Sequence, residues 1–263
     1  MHLQRILETT RATVARRKRE VSIDELLERA ATHAPRGFAR ALRARRDIPS
    51  IITELKKASP SKGLIRENFD VAALARGFEA AGAAALSVLT DEPHFQGSLR
   101  NLEIASSVTT LPCLRKDFIV DEYQIAEARA HRADAILLIA AALSDAELAR
   151  FTDEAHRHGL DVLCEVHSER ELERVRGLGC DAYGVNNRNL DTFEVSLETS
   201  LSLADRMPAD SVRVTESGIH TTEDIESLRA AGFDAFLIGE SLMRQQDPGP
   251  ALQALLAPAA ERV

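Results

Sequence analysis

After residue 47 the chain alternates short apolar runs with longer stretches of helical period. The runs Ser50–Leu55, Ala84–Leu89, Leu111–Leu114, Ala135–Ile139, Asp161–Glu165, Ala182–Val185, Val212–Thr215 and Ala235–Ile238 are short and almost continuously apolar, as strands covered on both faces must be. Between them lie helical segments with readable starts: Asp70 ahead of Val71–Ala81, Asp121 with Gln124, Ser144 with Glu147, Ser168 with Glu171, and Thr221 with Asp224. At each start a side-chain oxygen can accept from a first-turn amide, and in the paired cases the group three residues on can bond back. Gly82, Gly159, Gly179 and Gly232 stand just ahead of four of the strands, where a helix would close in a left-handed turn. Eight strand–helix repeats in about 215 residues predict an α/β fold, a closed parallel (β/α)8 barrel. The competing arrangement, an open doubly wound sheet, is weakened because no glycine-rich dinucleotide fingerprint follows any strand.

Residues 1–47 fall outside the repeat. Leu3, Ile6 and Leu7, then Ile23, Leu26, Leu27 and Ala30, are spaced for two or three helices, and Ser22 with Glu25 forms another capping pair. No low-complexity linker follows, so the expected organisation is a helical extension, 1–47, packed on a barrel of residues 48–263.

Charge divides at the same boundary. Twelve Lys/Arg against six Asp/Glu give residues 1–47 a charge of +6, which leaves −14 on the remainder of a chain whose net charge is −8. The basic stretch is interrupted at helical spacing by apolar residues and lacks interleaved aromatics, which argues against nucleic acid as its partner. No apolar run approaches the ~20 residues that span a bilayer, and the first twenty residues lack a secretory signal's separate apolar core, so the expected location is the cytoplasm. Cys113, Cys164 and Cys180, far apart and set in apolar runs, read as buried reduced thiols. Arginine outnumbers lysine 28 to 5, yet Lys56 and Lys116 fall at strand ends, where a compact ammonium is unusual enough to suggest a use.

In a barrel of this type the site lies at the C-terminal strand ends. Strand one ends with Glu54 and Lys56, two residues apart and so on one side; strand three puts Lys116 and Phe118 on one side and Arg115 and Asp117 on the other. Strand five ends with Glu165, strand six with Asn186 and Arg188, strand seven with Glu216 and Ser217. Inward charges are costly unless paired or used, and Glu54 with Lys56, or Glu165 with Lys116, could satisfy one another. After strands seven and eight, Glu216-Ser217-Gly218 and Gly239-Glu240-Ser241 put glycine and hydroxyl residues where such barrels commonly bind phosphate, with a helix beginning near Ser241. A phosphorylated ligand is expected.

The segments ELKKASPSKG (54–63), LRKDFIVDEYQIAEARA (114–130), GVNNRNLDTFEV (184–195), TESGI (215–219) and LIGESLMR (237–244), with the opening LQRILETTR, closely resemble the indole-3-glycerol phosphate synthase family of tryptophan biosynthesis. The resemblance spans nearly the whole chain. It implies a carboxy-lyase that converts 1-(2-carboxyphenylamino)-1-deoxyribulose 5-phosphate into indole-3-glycerol phosphate, carbon dioxide and water, with neither metal nor organic cofactor. By position it makes Lys116 the general acid, Glu165 the acid/base of dehydration, and Glu54 with Lys56 a substrate-contacting pair. Asn186 and Arg188 fall to the anthranilate carboxylate and the hydroxyls, Glu216 and Ser217 to the strand-seven site, and Phe118 to an aromatic wall. Ser59, Gly218, Gly239, Glu240 and Ser241 match the phosphate positions, with Glu240 expected to offer its amide and turn its carboxylate away. The end at Val263 suggests the single-activity form, and the family leaves room for weak contact with other tryptophan-pathway enzymes.

The residues alone leave alternatives open. They are a Schiff-base aldolase with Lys116 as nucleophile, the preceding isomerase, which needs a cysteine–aspartate pair, and a nucleic-acid-binding arm on an inert scaffold. The loop Lys57–Phe69 reads as a lid. The basic extension is expected to help cover a mouth that receives phosphate and carboxylate.

Overall fold

The computed structural model describes residues 2–45, 47–190 and 192–257; the last six residues of the expected barrel segment lie outside the described residues. Eight parallel strands close into a barrel: β1 (Ser50–Leu55), β2 (Ala85–Leu89), β3 (Cys113–Lys116), β4 (Ala135–Ile139), β5 (Asp161–Val166), β6 (Ala182–Asn186), β7 (Val212–Glu216) and β8 (Ala235–Ile238). Each strand pairs with its sequence neighbour, and β1 closes the ring by pairing with β8 from Ser50↔Ala235 to Thr53↔Ile238.

Side-chain alternation divides the apolar residues into two cores. Ile52, Leu114, Leu137, Leu163, Val214 and Leu237 fill the inside of the barrel, while Ile51, Val88, Ile136, Cys164, Val185 and Phe236 face the surrounding helices. The three cysteines are free and buried. Helix starts follow the capping residues: Ser144 with Glu147 and Thr221 with Asp224 form complete boxes, and Asp70 accepts from the amide of Ala73. Two pairs differ. Glu171 bonds back to the amide of His167 rather than to that of Ser168, and the Gln124 side chain serves Val120 and Phe118.

Three strands run one or two residues further into polar sequence than their apolar runs predict. β3 begins at Cys113, whose amide goes to the Asp134 carboxylate, and extends to Lys116; β6 and β7 reach Asn186 and Glu216, which are register partners. Ladder hydrogen bonds use the backbone, so a polar side chain does not end a strand. The polar residues of interest are therefore fixed by the sheet itself.

The extension comprises α1 (His2–Glu20), α2 (Ile23–Ala30) and α3 (Phe38–Arg43). Phe38, Ala39 and Leu42 of α3 join the inner core and plug the barrel's N-terminal end. Arg36, just before α3, forks onto the buried Asp134 carboxylate, which also takes His33. α1 instead lies beside the helix Glu122–Ala130: Tyr123 donates to the carbonyls of Arg17 and Val21, Arg17 pairs with Glu127 and Glu92, and Lys18 with Asp121. These basic side chains thus face acids of the barrel's own outer layer. Among the extension's described residues, only Leu3 and Ile6 at the apolar start of α1 reach the mouth. The extension thus meets the mouth through apolar residues, while the basic Arg17 and Lys18 pair with acids on the barrel's outer layer.

Candidate active site

A cavity of about 340 Å³ opens at the C-terminal strand ends. Every residue singled out from the sequence lines it: Glu54, Lys56 and Ser59 from β1 and its loop, Lys116 and Phe118 from β3, Glu165 from β5, Asn186 and Arg188 from β6, Glu216, Ser217 and Gly218 from β7, and Gly239, Glu240 and Ser241 from β8. Leu3, Ile6, Leu89, Phe95, Leu137, Leu190 and Val195 complete an apolar wall that sequence reading missed. Helical spacing was the one signal for Leu3 and Ile6. Phe95 stands 6.3 Å from Phe118, ring centre to ring centre, through a contact set only by folding.

At the floor, the Lys116 ammonium donates to Glu165 at 3.0 Å and lies 3.6 Å from Glu216; Lys56 pairs with Glu54 at 2.5 Å. Burial alone would make Lys116 more acidic, but Glu165, Glu216 and Glu54 outweigh it and hold the ammonium charged well beyond the ordinary lysine range. Burial would likewise raise Glu165, yet Lys116 and His167 bring it down to about 2. Glu216 goes the other way. Burial, with Glu165 and Glu54 alongside, raises it to about 8 against the pull of Lys116, so at neutral pH it carries a proton that it shares with Glu165. Its Oε1 is buried against Gly184 and has no hydrogen-bond partner.

Two glycines make room for these carboxylates. A Cβ on Gly239 would lie 2.5 Å from Oε1 of Glu54, and one on Gly184 would lie 2.5 Å from Oε1 of Glu216. Gly239 was expected to admit an anion to the backbone; its missing side chain also houses Glu54. Ser217 holds φ +67°, a conformation that costs a non-glycine residue about 1 kcal/mol or more. Asn187, which sequence reading passed over, fixes that turn: its amide donates to Thr215 and to the carbonyl of Ser217, and its oxygen accepts from the amide of Ser200.

On the expected phosphate side, the Ser59 hydroxyl is buried and unpartnered, whereas Ser241 donates to the carbonyl of Ile219. Glu240 opens a helix of only four residues, Glu240–Met243, too short for much dipole, so any help there comes from individual amides. Its carboxylate accepts from Arg244 and approaches Arg188 to 3.7 Å, held by cations instead of simply turned away. Ser59 sits in a hairpin in which Ala58–Ser59 pairs with Gly63–Leu64. Arg66 pins the hairpin's return to the carbonyls of Met243 and Gln245, while Ser61 to Leu64 remain exposed.

A parallel eight-stranded barrel with paired ammonium and carboxylate groups at its C-terminal mouth defines a barrel enzyme whose site combines acids, bases and anion-binding loops. The comparison with known proteins narrows this class. The model of the indole-3-glycerol phosphate synthase family matches residues 3–255, and the chain belongs to that family. An indole-3-glycerol phosphate synthase of Koribacter versatilis is 60% identical over 97% of this chain and 98% of its own length. Those of Neisseria gonorrhoeae and Burkholderia vietnamiensis are 52% and 50% identical, covering 94% and 95% of this chain and 96% and 97% of theirs. Among solved structures, a 3-hexulose-6-phosphate synthase superposes with a TM-score of 0.61 at 16% identity, covering 79% of this chain and all of that one. A mutant tryptophan synthase α-subunit from Pyrococcus furiosus gives 0.62 at 14%, covering 80% and 98%. These two speak for the fold alone. Among the described residues no helix is long and apolar enough to cross a membrane.

Proposed function

We propose that the protein closes the indole ring: it converts 1-(2-carboxyphenylamino)-1-deoxy-D-ribulose 5-phosphate into indole-3-glycerol phosphate, carbon dioxide and water, as a cytoplasmic enzyme of tryptophan biosynthesis. The observation that carries the mechanism is the Lys116 ammonium, held charged on the cavity floor by the ionised Glu165 at 3.0 Å. An ammonium gripped this firmly keeps its proton against water and yields it to a strong base. The alkoxide formed when the ring carbon attacks the ketone is such a base, so Lys116 stabilises that charge and then protonates it. The same grip argues against a Schiff-base role, which needs a free amine.

Loss of carbon dioxide restores the aromatic ring, and the hydroxyl then leaves as water while a carbon proton is removed. β1 and β5 lie diametrically across the barrel, which sets Lys56 and Glu54 on one wall and Glu165 with its partner Lys116 on the other. Acid and base thus flank the substrate during dehydration. In this reading Glu216 donates a hydrogen bond to a substrate hydroxyl, and Asn186 and Arg188 meet the ring carboxylate and the hydroxyls. Phe118 walls the aromatic ring. Ser59, Ser217, Gly218, Gly239 and the Glu240–Ser241 turn take the phosphate, whose binding energy holds the chain bent for attack. Residues 1–47 act as a helical extension of the catalytic barrel of residues 48–263: the start of α1 covers part of its mouth and α3 plugs its opposite end. The test is to incubate purified protein with the carboxyphenylamino deoxyribulose phosphate in the presence of EDTA and follow indole fluorescence. Formation of the indole product is expected; its absence sinks the reading.

A further inference from the structure

His167 has no part in the chemistry described above. It lies two residues beyond Glu165 at the end of β5, does not line the cavity, and is 11% exposed. Its Nε2 is 3.4 Å from Oε1 of Glu165, the oxygen not used by Lys116, and its Nδ1 is 3.4 Å from Oε2 of Glu171. The same Glu171 oxygen accepts the His167 amide at 2.8 Å, which anchors the residue's backbone. At 3.4 Å neither ring nitrogen makes an aligned hydrogen bond, although both are shut off from solvent. The ring therefore stands between two carboxylates and can tighten onto either by a small rotation. The contacts run in series from Glu171, 19% exposed, through His167 and Glu165 to Lys116, which lines the cavity.

The reaction needs such a route. Ring closure puts a proton on the ketone oxygen, carbon dioxide departs from a carboxylate without one, the leaving hydroxyl takes a second proton, and the ring carbon gives one back. Two enter and one returns, so each turnover consumes one proton. Lys116 and Glu165 can pass a proton between themselves but cannot create one.

Building on the activity read above, we propose that His167 is a positioning residue and proton conduit for Glu165: it fixes that carboxylate against Lys116 and brings to it, by way of Glu171, the proton consumed in each turnover. The charged groups facing the ring are Glu165 from β5, Glu171 from the following helix and Lys116 from β3. Burial favours the neutral ring, yet the two carboxylates prevail over it and over Lys116, and the ring's affinity for a proton is raised.

The decisive variant is His167→Asn, which retains a polar donor but cannot titrate. Its kcat should fall about tenfold, with KM within twofold of wild type; wild-type kcat should decline on the alkaline side as the ring loses its proton, and the variant should flatten that decline. His167→Ala should behave likewise and recover with added imidazole. Glu171→Gln, which removes the entry carboxylate while leaving the ring, should reproduce a smaller part of the kcat loss if the histidine variants fold poorly. A kcat within twofold of wild type, a pH profile of unchanged shape, or no recovery with imidazole overturns the proposal. The ratios are read only against wild-type enzyme that forms indole. A wild-type protein without turnover would instead overturn the activity itself.

Discussion

The two sides of β3 carry two buried charge clusters, built from adjacent residues and opposite in character. Outward, Arg115 is fully buried and fully engaged: it donates to Thr90, to Asp117, to the Gln124 carbonyl and to Glu127, and Arg17 of the extension extends the chain by pairing with Glu127. Inward, Lys116 faces Glu165 and Glu216 with Glu54 nearby, one of those carboxyls keeps a proton, and one of its oxygens has no partner. Unpaired buried polar atoms are costly, so a fold retains them where a ligand completes the set. The outer cluster is closed and holds structure together; the inner is open and awaits substrate.

The sharpest way to break this contrast is to remove each cation in turn. Lys116→Met should still fold but lose about 10³-fold in kcat, because the site forfeits both its proton donor and its stabiliser of the alkoxide. Near wild-type turnover would remove Lys116 from the chemistry. Arg115→Met should lose stability, by about 3–5 kcal/mol, since Asp117 and Glu127 would be left buried without their main counter-charge. Its urea midpoint should recover in part as pH falls toward 4.5, where the stranded carboxyls can take up protons. Equal loss at pH 7 and pH 4.5 would show that packing, and not charge, is what Arg115 supplies.

The alternation that distinguishes the two clusters is legible in the run LRKDF, because period two alone sends Lys116 and Phe118 one way and Arg115 and Asp117 the other. The eight strands, the capping residues of the helices and the strand-end acids are legible for the same reason: each depends on local spacing. Contacts across the fold are not. Phe95 meets Phe118, Leu3 and Ile6 roof the mouth, and Gly184 gives way to Glu216 only once distant segments are brought together. Nor does the sequence tell which carboxyl of the inner set keeps its proton, because this depends on distances to Lys116 of a few tenths of an ångström. Asn187 stands beside Asn186 in the same run, and only the turn at Ser217 shows that one asparagine faces the cavity while its neighbour braces a strand end.

A gentler test of the inner cluster uses its surplus acid. Folded Glu216 keeps its proton up to about pH 8, whereas an unfolded glutamate releases it near 4.5. Between these values the folded state binds more protons than the unfolded, so this group makes stability fall as pH rises. Glu216→Gln, always neutral and nearly the same shape, is free of that slope. Its urea stability should match wild type near pH 5 and exceed it by on the order of 2 kcal/mol at pH 8. Parallel stability curves for the two proteins from pH 5 to 8 would place the proton elsewhere in the set.

The smallest expected effect lies where the outer cluster meets solvent. Arg17 is 15% exposed and bonds Glu127 at 3.2 Å and the mostly exposed Glu92 at 3.4 Å. Glu127 retains Arg115 when Arg17 is removed, so no carboxylate is stranded. Arg17→Met preserves most of the aliphatic stem and should cost about 0.5–1 kcal/mol, with kcat and KM unchanged, a loss that shrinks further in high salt. Should kcat fall while stability holds, the closed cluster would be tuning Lys116 through the strand, and the division between the two sides of β3 would fail.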